Sequence, residues 1–194
     1  LKLDQNTIVI YSSDQGFYIG DHGWYDKRWM YEESLKMPFI VKWPGVTKPN
    51  SKNTNLIQNL DYAQTFLEIA GAKIPKDMQG ASVVPLLKGG NPKNWRKGIY
   101  YHYYEYPSVH MIPRHYGIRT QRHKLMHFYQ FDKEWELYDL KKDPDELLNL
   151  YGQLKYKKIQ DKLSKQLKGL QKKYQDNSDT SSKPELIKKY RPNS

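Results

Sequence analysis

The chain has no cysteine among its 194 residues. That excludes a disulfide framework, a thiolate metal site and a cysteine nucleophile, and leaves the redox compartment unread. Long apolar runs are missing too. No stretch approaches the ~18 consecutive apolar residues of a membrane span, and no signal peptide opens the sequence. Hydrophobic residues make up only 38% and mean hydropathy is -0.92, so much of the surface must be polar or aromatic. No internal repeat or low-complexity tract is present. Acidic residues are the scarcer charge: 21 Asp+Glu face 32 Lys+Arg, for a formal net charge of +11. The excess is local, because residues 153–194 hold 12 Lys+Arg against 4 Asp+Glu and the first 152 residues carry only +3. Such a tail reads as a solvated face, or as an attraction to acidic polysaccharide, and not as a nucleic-acid footprint.

What the chain does have is aromatic surface, at 14% of residues and with 17 Tyr. Tyrosine at this density suits sheet faces and sugar-binding clefts, since the ring is apolar and its tip polar. The β-branched run at 7–11 reads as one strand, and 39–43, ended by Pro44-Gly45, as another. More than twenty residues without clear periodicity lie between them, a length usually given to functional loops. Asp61 stands as N-cap to a short helix in which Tyr62, Phe66, Leu67, Ile69 and Ala70 recur at helical spacing, and Gly71 marks its stop. Residues 74–97 read as irregular linking structure. Four strands then follow at 98–104, 116–120, 124–129 and 135–140, fitting an antiparallel meander with one wet face. From Asp143-Pro144 the pattern turns helical, with Tyr156, Ile159, Leu163, Leu167, Leu170 and Tyr174 forming a stripe to pack on the sheet. These shifts divide the chain into 1–97, a sheet-plus-helix subdomain over 98–175, and a polar tail over 176–194. The short lead into the first strand suggests a segment of something longer.

The chemistry gathers in residues 12–27, directly after the first strand, where open α/β sheets place their ligands. Asp14 and Gln15 offer a carboxylate and an amide carbonyl side by side, both hard donors suited to Ca²⁺ or Mg²⁺. Ser-Asp-x-Gly is also ordinary turn chemistry. Two ligands are too few for ions that take six or more oxygens, so the rest must come from elsewhere. Thirteen residues on, Lys27 can clamp an anionic substrate oxygen or simply pair with Asp26 or Glu32. His22 is a possible acid or hydrogen-bond donor, or a structural histidine.

These residues resemble the formylglycine-dependent sulfatases of the alkaline phosphatase superfamily. The matching motifs are Ser13-Asp14-Gln15-Gly16, Gly20-Asp21-His22-Gly23 and the stretch from Lys27 to Glu32. Pro38-Phe39-Ile40-Val41-Lys42-Trp43-Pro44-Gly45, then 61–71 and 80–87, are similar to the strand, helix and loop that follow in that family. Glu136-Leu137-Tyr138-Asp139-Leu140 through Asp143-Pro144 to Leu150 is similar to its C-terminal signature. The resemblance covers residues 6–175. It implies an α/β fold: the C-terminal part of an alkaline-phosphatase-like sandwich, plus a small antiparallel subdomain with a packed C-terminal helix. It also implies Asp14 and Gln15 as calcium ligands, Lys27 as a sulfate contact and His22 as a recurrent site histidine. Arg114-His115-Tyr116-Gly117 resembles the subgroup acting on sulfated amino sugars, which makes Arg114 and His115 candidates for sugar contact at a pocket mouth; a basic hairpin loop is the alternative.

The family's nucleophile, a formylglycine made from Cys or Ser in Cys/Ser-x-Pro-x-Arg, has no counterpart here. Ser182-Lys183-Pro184-Glu185-Leu186 lacks the Arg, and the earlier Asp-Asp pair of the calcium shell is absent. The resemblance therefore implies a C-terminal portion of a sulfatase acting on a sulfated carbohydrate such as a glycosaminoglycan or N-acetylglucosamine-6-sulfate. It would be inactive alone and partnered by the N-terminal portion that carries the formylglycine. Periplasmic or secreted location follows from the substrate class. A two-zinc phosphodiesterase or phosphatase of the same superfamily is one alternative, disfavoured by Gln15 where a His ligand is needed. A non-catalytic carbohydrate-binding module is the other.

Overall fold

The computed structural model describes residues 2–130 and 134–178, so the expected polar tail from 179 onward, with Ser182, lies outside the described residues. In chain order the elements are β1 (Val9–Ser12), β2 (Tyr18–Ile19), β3 (Tyr25–Asp26), α1 (Glu32–Leu35), β4 (Phe39–Lys42), α2 (Tyr62–Ile69), α3 (Val84–Leu87), β5 (Ile99–Tyr103), β6 (His115–Arg119), β7 (His123–Phe128), β8 (Glu134–Asp139) and α4 (Lys157–Lys173). They group into two units, residues 1–16 with 36–97, and residues 17–35 with 98–194.

In the first unit β1 and β4 pair antiparallel, with Tyr11 opposite Ile40. Alternation then sets Val9, Tyr11 and Ile40 on one face, at 52%, 63% and 64% exposure. Asp61 precedes α2, but its side chain makes no cap bond to that helix. Its fully buried carboxylate accepts the N–H groups of Gln58 and Ala81, each at 2.8 Å, and both terminal nitrogens of Arg96, Nη2 at 2.6 Å. A buried charge needs such partners. The hub ties the stretch read as a mere linker, 74–97, onto the start of α2. Thr65 completes it by donating to Asp61 O and accepting from Val83 N–H. α3, which hydrophobic patterning did not separate from that linker, starts beside Val83 with Pro85 in its first turn, where proline is tolerated.

The second unit is built on the four-stranded meander β5-β6-β7-β8. Register puts Ile118, Leu125 and Leu137 in one row, and these pack with Leu150 and with Leu163 and Leu167 of α4. The opposite face was expected to be wet. Instead Tyr18, Met30 and Tyr31 bury against its Met126, Phe128 and Tyr138. Residues 17–35 thus group with the sheet rather than with the rest of 1–97. A glycine makes this possible: a Cβ on Gly117 would stand 2.6 Å from Met30 Sδ and 2.4 Å from Leu125 O.

Candidate functional site

Asp14 and Gln15 follow the end of β1 in the first unit. Ser12 Oγ donates to Pro38 O (2.9 Å) and meets Tyr62 OH (2.6 Å), which fixes the strand end. Ser13 Oγ reaches Asp14 Oδ1 and Gln15 O, and Asn59 Nδ2 donates to Asp14 O (3.1 Å). The turn therefore presents an exposed carboxylate next to a half-buried amide. Two hard oxygen donors on an anchored backbone fit a hard cation such as Ca²⁺. Among the described residues no group of three His, Asp, Glu or Cys side chains could hold an ion, so further ligands would come from outside them.

His22 and Lys27 lie in the second unit, on the β2–β3 hairpin and just after it. Gly20 at φ 115°, His22 at 54° and Gly23 at 73° make the turn, conformations that only glycine adopts freely. His22 is held on three sides: its ring stacks 4.7 Å from Tyr31 and 5.5 Å from Trp24, and Nε2 lies 3.5 Å from Glu33 Oε2. The Lys27 carbonyl accepts the Ser34 hydroxyl. The two carboxylates suggested as its neighbours have other partners. Asp26 holds Arg28 and, at 3.1 Å, His110 Nδ1. Glu32 takes two nitrogens of Arg119 (2.9 and 3.2 Å) and Lys124 Nζ (3.0 Å). Burial alone would raise the Glu32 carboxyl, but Arg119 and Lys124 outweigh it and hold it at about 2.

Beside Lys27 opens a cleft of about 620 Å³ lined by Trp24, Tyr25, Asp26, Arg28, Trp29 and the 110–112 segment. Trp24 and Trp29 stack at 4.2 Å, and the Arg28 carbonyl accepts Tyr101 OH at 2.9 Å. An indole wall with a carboxylate and a guanidinium on its rim suits a sugar ring, whose C–H face is apolar and whose edge is hydroxylated. The sequence reading named Asp26 only as a partner of Lys27 and did not single out Arg28 or His110, so it missed all three as cleft residues. The charged run Asp26-Lys27-Arg28 was its one signal, and the positive φ of Asp26, 90°, was invisible there.

Arg114 and His115 do not form an exposed hairpin loop. Arg114 is 9% exposed, donates from Nε to Gln130 Oε1 (2.5 Å) and lies 5.1 Å over the Tyr129 ring. His115 has no exposed surface; its Nδ1–H donates to Pro113 O at 2.7 Å, and its ring packs on Tyr101, Tyr103, Phe128 and Trp29. Burial lowers its pKa to about 4, so the ring is neutral near pH 7. It sits behind the cleft wall, against Trp29.

The first unit carries an anchored pair of hard oxygen donors, and the second a lysine after a glycine-hinged turn with an aromatic cleft beside it in sequence. Residues 20–173 match the family described as N-sulphoglucosamine sulphohydrolase, C-terminal, and the chain belongs to that sulfatase family. It is 50% identical over 185 residues to an N-acetylglucosamine-6-O-sulfatase of Bacteroides thetaiotaomicron, covering 94% of this chain and 33% of that protein. A solved structure described as a complex with its substrate D-glucosamine-2-N,6-O-disulfate superposes with TM-score 0.87 at 49% identity, over 92% of this chain and 37% of its own. A 2-O glycosaminoglycan sulfatase does so with TM-score 0.81 at 28% identity, over 94% and 40%. The chain thus spans about a third of the length of the relatives that it matches best among these. The expected α/β sulfatase fold is borne out. No described helix is long and apolar enough to cross a membrane.

Proposed function

We propose that this chain is the C-terminal portion of a sulfatase that removes the 6-O-sulfate from an N-acetylglucosamine or glucosamine residue of a glycosaminoglycan. The observation that carries this reading is the 50% identity to an N-acetylglucosamine-6-O-sulfatase across nearly the whole chain. In the complete protein, the N-terminal portion supplies the formylglycine nucleophile and the remaining ligands of one Ca²⁺. When bound, that cation polarises a sulfate oxygen. Asp14 and Gln15 are its ligands from this chain. Lys27 sets its charge against the sulfate oxygens, where negative charge builds as the ester bond breaks. His22, fixed by Tyr31, Trp24 and Glu33, donates a hydrogen bond or a proton at the departing oxygen. The cleft beside Lys27 takes the sugar, with Asp26 and Arg28 on its hydroxyls and His115 supporting its wall through Trp29. The exposed apolar face of Val9, Tyr11 and Ile40 supports a partner there, the N-terminal portion itself. The protein acts in the periplasm or outside the cell.

The test uses the complete protein and measures sulfate released from N-acetylglucosamine-6-sulfate. Lys27→Ala is expected to cut release by about a thousandfold. Near-normal release by that variant removes Lys27 from the site, and two tightly bound zinc ions with phosphodiester cleavage replace the sulfatase reading altogether.

A further inference from the structure

α4 carries seven lysines against one carboxylate, Asp161, which is paired with Lys157. Among the described residues none of the other six lysines has a carboxylate partner. All seven are exposed. The inner side of the helix is fully committed, with Leu163 and Leu167 buried in the core of the second unit. At about 100° per residue, Lys158, Lys165 and Lys172 form one line pointing away from those leucines, about 10 Å apart along the axis. Lys168 stands beside that line.

This arrangement is unfavourable for the helix alone. Lys158 with Lys162, Lys162 with Lys165, Lys165 with Lys168, and Lys168 with Lys172 are like charges at i, i+3 or i+4, which repel. Glutamate or glutamine at alternate positions would serve helix formation as well and relieve the repulsion. A local rule broken without compensation in the fold points to a use outside it.

We propose that the outward face of α4 is an electrostatic docking surface for a sulfated polysaccharide, the polymer whose sulfate esters the site attacks. It rests on the sulfatase reading for the identity of the polymer. Sulfate esters are permanently charged and recur along such a chain, matching a row of cations. Lysine suits them as a compact charge on a flexible stem that follows sulfates without fixed bidentate geometry. Two other polyanions fit less well. Single-stranded nucleic acid binds grooves that add aromatic stacking platforms, and no aromatic residue lies on this line. An anionic membrane surface is bound by helices whose apolar face enters the interface, and the apolar face of α4 is buried.

The experiment uses the complete protein carrying Lys158→Gln, Lys165→Gln, Lys168→Gln and Lys172→Gln, all exposed positions where glutamine keeps helix propensity close to lysine. Binding to dextran sulfate is measured over a salt series. The expected result is affinity about tenfold or more lower at the low-salt end with a flatter dependence on salt, because fewer counterions are exchanged. Turnover of N-acetylglucosamine-6-sulfate, a monosaccharide whose single sulfate cannot span lysines about 10 Å apart, stays as in the parent. Equal binding by parent and variant overturns the proposal. So does tighter binding of single-stranded DNA or anionic vesicles than of dextran sulfate at matched charge. Absence of sulfate release by the parent sinks the sulfatase reading instead, and the polysaccharide affinities still decide this one.

Discussion

Lys124 Nζ lies 3.0 Å from Glu32 Oε1 and 2.8 Å from Glu146 Oε1. Neither the lysine nor the Glu146 carboxylate has exposed side-chain surface. Three elements meet there: α1, which carries Glu32; β7, which carries Lys124; and the loop after β8, where Glu146 sits at φ 52°. Glu146 Oε2 also accepts the Glu32 N–H at 2.7 Å, and Arg119 joins from β6. Two carboxylates and two cations balance, which makes burial tolerable. Burial pushes the Glu146 carboxyl up, and Lys124 opposes the rise. The cluster fixes α1, and Ser34 of α1 holds the Lys27 carbonyl, so a buried ion network stands behind the loop that carries the proposed sulfate contact.

Lys124→Met keeps the volume and removes the charge, leaving the Glu146 carboxylate without its cation. Breaking a buried pair from one side costs about 3–5 kcal/mol. The expected outcome is a lower denaturant midpoint for the complete protein, partly restored when Glu146→Gln is added. A midpoint unchanged by Lys124→Met would show that the pair contributes nothing.

The sequence made the meander legible because alternating apolar and aromatic residues report a strand wherever one face is buried, and it made α4 legible through Leu163 and Leu167. Asp14, Gln15 and Lys27 stand out in the sequence as site candidates because short motifs survive as runs of adjacent residues. The sequence did not reveal the cluster of Glu32, Arg119, Lys124 and Glu146. Those positions lie up to 114 residues apart, and each reads as a surface charge until register brings them together. The second cover of the sheet was hidden for a related reason. Residues 17–35 are held by glycine turns and aromatic stacking, which have no period, so nothing in their pattern announced Tyr18, Met30 and Tyr31 as core.

Gly117 tests that cover directly. An added Cβ collides with Met30 Sδ, which can move, and with the Leu125 carbonyl of the paired strand, which cannot move without disturbing the register. Gly117→Ala is expected to destabilise by about 1–3 kcal/mol, the usual result of overpacking. Met30→Ala in the same chain should fail to restore the lost stability, because the carbonyl contact remains. Thermal melts of the single and double variants decide this, and full rescue by Met30→Ala would place the clash on the side chain alone.

Two groups predict separate acid transitions. Burial lowers His115 from 6.5 to about 4. Between those values the unfolded chain binds a proton that the folded chain refuses, so stability is complete above pH 6.5 and falls as pH drops toward 4. Glu32 is held at about 2 against an ordinary 4.5. Its contribution is complete above pH 4.5 and lost as pH falls through 2. Urea midpoints measured from pH 7 down to 2 should therefore decline in two stages. His115→Phe is expected to flatten the upper stage and leave the lower one, and an unchanged upper slope in that variant assigns it to other groups.

A variant at Asp26 tests whether the cleft holds the sugar. Its carboxylate joins Arg28 and His110 on the rim of the cleft, next in sequence to Lys27. Asp26→Asn preserves the backbone, since Asn is among the residues that tolerate positive φ, but removes the charge that orients Arg28. If the cleft binds the sugar, kcat/KM on N-acetylglucosamine-6-sulfate should fall by about 10- to 100-fold, the worth of a charged hydrogen bond. The loss should appear mostly in KM. A small aryl sulfate has no sugar hydroxyls for this rim to hold, so its hydrolysis by the same variant should change by no more than about threefold. An equal loss on both substrates would mean that Asp26 serves the Lys27 loop rather than the sugar.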